Sequence, residues 1–136
     1  MTSPISVLNP ARLAQPNGFS QVAIDNRNGT VFISGQVAYD AQGNIVGVND
    51  LAAQTRQVLQ NLQTALAEAG SDFRHTLKLN FYVKNLSEEA VAIIRKERAP
   101  FLPQDQLPAS TLVGVSALAK EDLLLEVEAY AVRKST

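Results

Sequence analysis

Glu126 and Glu128 stand two positions apart in the run Glu126-Val-Glu-Ala-Tyr-Ala-Val132, a spacing that puts both carboxylates on one face of an extended strand. In one reading the pair projects into a cleft, where partial burial raises the pKa of a carboxyl group and suits it to general acid–base work. In the other it belongs to an ordinary solvated face. Ser34-Gly35 and Gly114 offer the same choice, because a residue without Cβ lets a ligand approach the backbone but equally marks a bulge or a tight packing contact. The segment Pro108-Ala-Ser-Thr-Leu112 adds two neighbouring hydroxyls, Ser110 and Thr111.

Other chemistries are closed off by composition. With no cysteine, the chain has no disulfide, thiolate nucleophile or thiolate metal site. His75 is the single imidazole, so a multi-histidine metal centre or a serine–histidine relay has too few parts. No metal and no cofactor is expected. Twelve Lys plus Arg against thirteen Asp plus Glu leave a formal charge of -1; without a broad cationic field, nucleic acid is a poor partner. Neither a cationic leader nor a run of about 18 apolar residues is present, and the expectation is a soluble, cytoplasmic protein with no membrane partner.

The elements that must position these residues follow from periodicity. Phe19–Ile24 and Thr30–Ser34 flank a turn containing Asn28-Gly29 and predict a β-hairpin. Asp40–Asn44 supplies a second turn before Ile45-Val46. Leu51, Thr55, Val58, Leu59, Leu62, Ala65, Leu66 and Ala69 share one helical face, with the glutamines Gln54, Gln57 and Gln60 mostly elsewhere. Asn49 or Asp50 caps that helix and Gly70 ends it. Leu77, Leu79, Phe81 and Val83 alternate as one face of a strand. A short helix follows Ser87-Glu88-Glu89 and stops at Pro100. Thr111–Val115 and Leu123–Val132 read as two strands forming a C-terminal hairpin. Residues 1–136 thus predict a single α+β domain, one sheet with two helices on one face. The other sheet face, left apolar, calls for self-association.

Phe32-Ile-Ser-Gly-Gln36, the Gln54–Leu62 helix, Leu79-Asn-Phe-Tyr-Val-Lys-Asn-Leu86 and the stretch from Pro108 through Glu126–Val132 together resemble the RidA/YjgF family from about Asn17 onward, with residues 1–16 as an N-terminal extension. The resemblance implies a chorismate-mutase-like fold, a homotrimer, and ligand clefts between neighbouring subunits. In deaminating members an arginine grips the carboxylate of a 2-imino acid and a glutamate directs water to the imine carbon. Glu126 matches that glutamate, whereas Ser110 occupies the arginine's place. A serine hydroxyl cannot replace an ionic contact of about 1.5–3 kcal/mol, so affinity for a small imino acid should fall about tenfold to a hundredfold. Arg12, Arg95, Arg98 and Lys120 are conceivable substitutes or plain surface charges. Phe19 stands where a tyrosine is common and Ile93 where an asparagine is common, which makes the cleft less polar.

The resemblance therefore implies a hydrolase or deaminase-like enzyme of altered substrate class, not a standard 2-iminobutanoate/2-iminopropanoate deaminase. Glu126 would be catalytic. Phe19, Ser34, Gly35, Ile93, Ser110, Thr111, Leu112 and Gly114 would contact a small-molecule substrate. The competing expectation is a non-catalytic trimer that senses or sequesters a metabolite. Ribonuclease activity, also attached to this family, lacks a basic and aromatic platform here.

Overall fold

The strongest period in the sequence becomes helix α1 (Leu51–Glu68). Its start is fixed by the Asp50 carboxylate, which accepts from the Ala53 amide at 3.0 Å, satisfying a donor the first turn leaves orphaned. Gly70 follows the last turn at φ +78°, a left-handed conformation that glycine adopts without a Cβ clash. In the computed structural model, which describes residues 3–135, α1 is joined by α2 (Glu88–Arg98) and by strands β1 (Ile5–Leu8), β2 (Val22–Asp25), β3 (Thr30–Gln36), β4 (Thr76–Lys84), β5 (Ala109–Val115) and β6 (Leu125–Val132). The Ser87 hydroxyl caps α2 through the Ala90 amide at 3.0 Å. The helix gives way to a 3-10 turn, Ala99–Phe101, at Pro100, where the missing N–H and the ring stop further α-helical bonding.

The six strands form one sheet in the order β1-β2-β3-β6-β4-β5, with β4 and β5 parallel and the other pairs antiparallel. Both helices lie on one face, where Val58, Leu62 and Leu66 of α1 and Ile94 of α2 pack in the same core as Leu79, Phe81, Val127 and Ala129. The expected α+β architecture is the one observed. At about 25 cal/mol per Å² of apolar area, this sheet-to-helix burial is the main favourable term in the fold.

Three local expectations are corrected. β5 and β6 do not form a hairpin: β6 inserts between β3 and β4, and β5 takes the outer edge beside β4. Their burial patterns carry the reason. Every second residue of β6 is fully buried and the rest half-buried, while β5 is exposed along most of its length; the strand shielded on both faces goes to the middle. Gln54, placed off the core face, is fully buried. Its amide donates to the carbonyls of Gly47 and Asp122 at 3.1 and 2.8 Å, and its Oε1 accepts from the Leu124 amide at 2.9 Å. A polar group with all its bonds made can sit in a core, and here it ties α1 to the segment that leads into β6. Finally, Leu77 is exposed because an irregularity between Thr76 and Lys78 shifts the β4–β6 register, so only Leu79, Phe81 and Val83 of the predicted face are buried. Residues 5–8, within the N-terminal extension, supply the edge strand β1.

Candidate functional site

Strand β6 sorts its residues cleanly: Leu125, Val127, Ala129 and Ala131 go into the core, and Glu126, Glu128 and Tyr130 go to the sheet face without helices. The two glutamates fare differently on that shared face. Glu128 Oε1 accepts from the Tyr82 hydroxyl at 2.6 Å and the Asn80 amide at 3.1 Å. The bond to Glu128, with some burial, pushes the Tyr82 phenol up to about 12, so it remains a donor at any physiological pH. The Glu126 carboxylate has no hydrogen bond to protein among the described residues. Burial, and secondarily the charge of Glu128, raise its pKa above 4.5.

Space for Glu126 is made by Gly35. Between Ile33 and Gln36 the β3–β6 register shifts by one residue, the signature of a bulge, and a Cβ added at Gly35 would run into the Glu126 carboxylate. Gly35 is not in the left-handed region, so the bulge itself accepts a side chain and the glycine serves the approach of the carboxylate. Above the pair opens a concavity of about 950 Å³, which Phe19, Ser34, Tyr39 and Lys120 also line, near the upper end of the roughly 300–1,000 Å³ of small-molecule pockets. Lys120 is the one cation among its described lining residues, and its ammonium lies 5.3 Å from the Tyr39 ring centroid. Ser34 donates its hydroxyl to the Ser20 carbonyl at 2.6 Å, which leaves its oxygen free only as an acceptor. Behind it, Gln36 and Gln21 are buried as a pair, amide to carbonyl at 2.7 Å. Tyr39 and Gln36 were missed from sequence; the available signal was the polar run Ser34-Gly-Gln36 inside an otherwise apolar strand.

Ser110 lies elsewhere. It pairs with the core residue Leu79, which puts its side chain on the helix-bearing face at the β5 edge. It shares a smaller concavity, about 270 Å³, with Arg95 and Arg98 of α2. Thr111, one residue on, faces the open side beside Asn80 and accepts from Lys78 Nζ at 2.7 Å. Leu112 packs partly against the core. Gly114 is crossed by Leu86, whose Cβ would be 3.2 Å from an added Cβ, a tight contact that makes packing one reason for a small residue here. Ile93 is half-buried on α2 and lines neither concavity. His75 bonds Asp72 through Nδ1 at 2.7 Å, away from both. One chain thus brings together Glu126, Phe19, Ser34 and Gly35, and holds Ser110 and Ile93 apart from them. Among the described residues no three His, Cys, Asp or Glu side chains converge to hold a metal ion.

No helix is long and apolar enough to cross a membrane. The family model described as Endoribonuclease L-PSP matches residues 10–133. A RutC family protein of Synechocystis is 30% identical over 129 residues, covering 94% of this chain and 96% of that one. A protein of Dermatophagoides farinae named 2-iminobutanoate/2-iminopropanoate deaminase is 26% identical over 133 residues, 96% of this chain and 98% of its own. The crystal structure of YyfB from Yersinia pestis, described as a member of the conserved Rid protein family, superposes with a TM-score of 0.74 at 38% identity, covering 96% and 99% of the two chains. With nearly the whole sequence matched and the same fold in its relatives, this chain belongs to the Endoribonuclease L-PSP family, which comprises the RutC, YjgF and Rid proteins.

Proposed function

We propose that the protein is a cofactor-independent hydrolase of C=N bonds in small metabolites, with Glu126 as the catalytic acid–base. The observation that carries this is a half-buried carboxylate without a hydrogen-bond partner, set over Gly35 at the floor of a large concavity, with its pKa raised by burial. Such a group can accept a proton from water as the water oxygen bonds to the imine carbon, while the nitrogen takes up a proton from solvent. As the carbinolamine collapses, the same carboxyl group gives its proton to the leaving nitrogen and the hydroxyl proton returns to solvent. One imine and one water become one carbonyl compound and one ammonia. The relative named as an iminobutanoate and iminopropanoate deaminase supports this reaction class.

The active assembly is a homotrimer with clefts between subunits. Ser110 and Glu126 face opposite sides of the sheet in one chain, so a ligand that touches both must lie between chains. Exposed Phe32, Leu77 and Val113 supply apolar area for that contact. The large concavity and the apolar Phe19 favour a bulkier substrate than 2-iminobutanoate. Imines generated in situ from alanine, 2-aminobutyrate, leucine and phenylalanine by an amino acid oxidase test the proposal through ammonia release. Acceleration is expected to be greater for the leucine and phenylalanine products, and Glu126→Gln should reduce it at least about a hundredfold. No acceleration of any imine, or an unchanged Glu126→Gln rate, overturns the assignment; saturable binding without turnover would point to a metabolite-binding trimer instead.

A further inference from the structure

Asn-Gly, the dipeptide most open to cyclic imide formation, occurs twice in this chain, at Asn17-Gly18 and Asn28-Gly29. A glycine after asparagine puts no side chain in the way when its amide nitrogen turns on the neighbouring carboxamide. The two pairs are held differently. In the hairpin between β2 and β3 the Gly29 amide donates to the Asp25 carbonyl at 2.8 Å, and the Asn28 Oδ1 accepts from the Thr30 amide at 3.0 Å. Nucleophile and electrophile are both tied into the turn, so that pair can react only when the turn opens. At Asn17-Gly18 neither tie exists: among the described residues, the Gly18 amide and the Asn17 carboxamide make no hydrogen bond to protein. Both residues are exposed, and Gly18, at φ +85°, has nothing within 4 Å of the place a Cβ would take.

The loop that carries the free pair is fastened at its ends. The Gln21 amide donates to the Ala14 carbonyl at 3.1 Å and the Ser34 hydroxyl to the Ser20 carbonyl at 2.6 Å, so residues 15–19 can turn without loosening either anchor. Asn17 lines the concavity above Glu126. We propose that Asn17 is a site of spontaneous deamidation, and that its product places a carboxylate at the rim of that concavity. The Gly18 amide nitrogen bonds to Cγ of Asn17 and gives up its proton; the bond from Cγ to the side-chain nitrogen breaks, and that nitrogen leaves with the proton as ammonia. Water then opens the cyclic imide at one of its two carbonyls, giving aspartate, or isoaspartate with the backbone running through Cγ. One carboxamide and one water become one carboxylic acid, ionised at neutral pH, and one ammonia. The new carboxylate joins Glu126 and Glu128 against the single ammonium of Lys120 among the described lining residues. If the concavity hydrolyses imino acids, the reading proposed above on which this last step rests, the added charge repels the carboxylate of the substrate.

Peptide mass mapping of the full chain, aged in weakly alkaline buffer both folded and in urea, decides it, with isoaspartate detected by enzymatic methylation of its carboxyl group. In the folded protein Asn17 should convert at least about tenfold faster than Asn28, the factor expected where two hydrogen bonds must open first. In urea, where those bonds are gone, the two rates should agree within about threefold. Asn17→Gln, which would have to close a larger and slower ring, should show no conversion at that position over the same time. Asn17→Asp supplies the charge at once and should lower kcat/KM for the leucine-derived imine at least about twofold at low salt, with the loss fading as salt is added. No conversion at Asn17, or conversion of Asn28 at an equal rate in the folded protein, overturns the site, and an unchanged kcat/KM for Asn17→Asp overturns the effect of its charge. The mass measurement does not depend on turnover: a wild type that converts at Asn17 but hydrolyses no imine strikes the proposed function alone, and an active enzyme in which Asn17 stays intact strikes this site alone.

Discussion

On opposite faces of the same sheet, this molecule keeps a carboxylate without a hydrogen-bond partner and a pair of guanidiniums without an ion-pair partner among the described residues. Around Glu126 the walls are polar and mixed, with the carboxylates of Glu126 and Glu128 and one cation, Lys120. Around Arg98 the walls are leucine and phenylalanine, and the charge is positive. Desolvating an unpaired charge costs stability, and elsewhere the fold avoids it: Glu128, two residues from Glu126 on the same face, is held by Tyr82 and Asn80. The contrast between Glu126 and Glu128 separates a carboxylate that builds structure from one kept ready for a ligand.

The sharpest way to break this comparison is Gly35→Ala. The added Cβ collides with the Glu126 carboxylate, so we expect a loss of about 1–3 kcal/mol in urea unfolding, as for other overpacking changes, together with at least a tenfold drop in imine turnover as the carboxylate is displaced. In a Glu126→Ala background the same change should cost under about 0.5 kcal/mol, since its obstacle is gone. Equal costs in the two backgrounds would mean that the Glu126 carboxylate is not the obstacle at position 35. A smaller effect is expected of Tyr82→Phe, which takes one donor from Glu128 and leaves Asn80: about 1 kcal/mol less stable. If Tyr82→Phe instead leaves the urea midpoint in place, Glu128 is not the structural member of the pair.

Which of these features could be read from the sequence depended on how local their causes are. The face of α1, its Asp50 cap, the Ser87 cap and the stop at Pro100 are set by neighbours within a turn, and all were legible. The neighbour of β6 was not, because a strand's place in a sheet is decided by what covers its two faces, and proximity in sequence favoured β5. Gln54 was misplaced for a related reason: its three bonding partners lie seven to seventy residues away, beyond any helical pattern. At the candidate site, the spacing of Glu126 and Glu128 gave their common face but not their different surroundings, which depend on Tyr82 and Asn80 of β4 and Gly35 of β3. That Ser110 stands in the place of a carboxylate-gripping arginine rests on the family resemblance alone, although the serine itself was legible. That Arg95 and Arg98 stand at the same concavity was not, since it takes the β4–α2–β5 crossover to bring them there.

The smallest expected effect concerns pH. Burial, aided by the nearby charge of Glu128, makes the folded protein hold the Glu126 proton more tightly than the unfolded chain does. As pH rises past the ordinary value of 4.5, the unfolded chain therefore releases this proton first and binds fewer protons than the native state, so this group's contribution to stability falls with rising pH until the folded carboxyl has also ionised. Below about pH 4, where the group is largely neutral in both states, it imposes no such penalty. Glu126→Gln substitutes a neutral side chain of similar shape, which does not titrate. Its melting temperature should accordingly match that of the wild type in acid and exceed it at neutral pH, with the gap opening from about pH 4.5 upward. Arg98→Met has no titration in this range and should give a difference from wild type that is flat with pH. A gap for Glu126→Gln that narrows as pH rises would mean that the carboxylate finds a cation when charged, with Lys120 across the same concavity the nearest candidate, and the two faces would then differ less than their unpartnered charges imply.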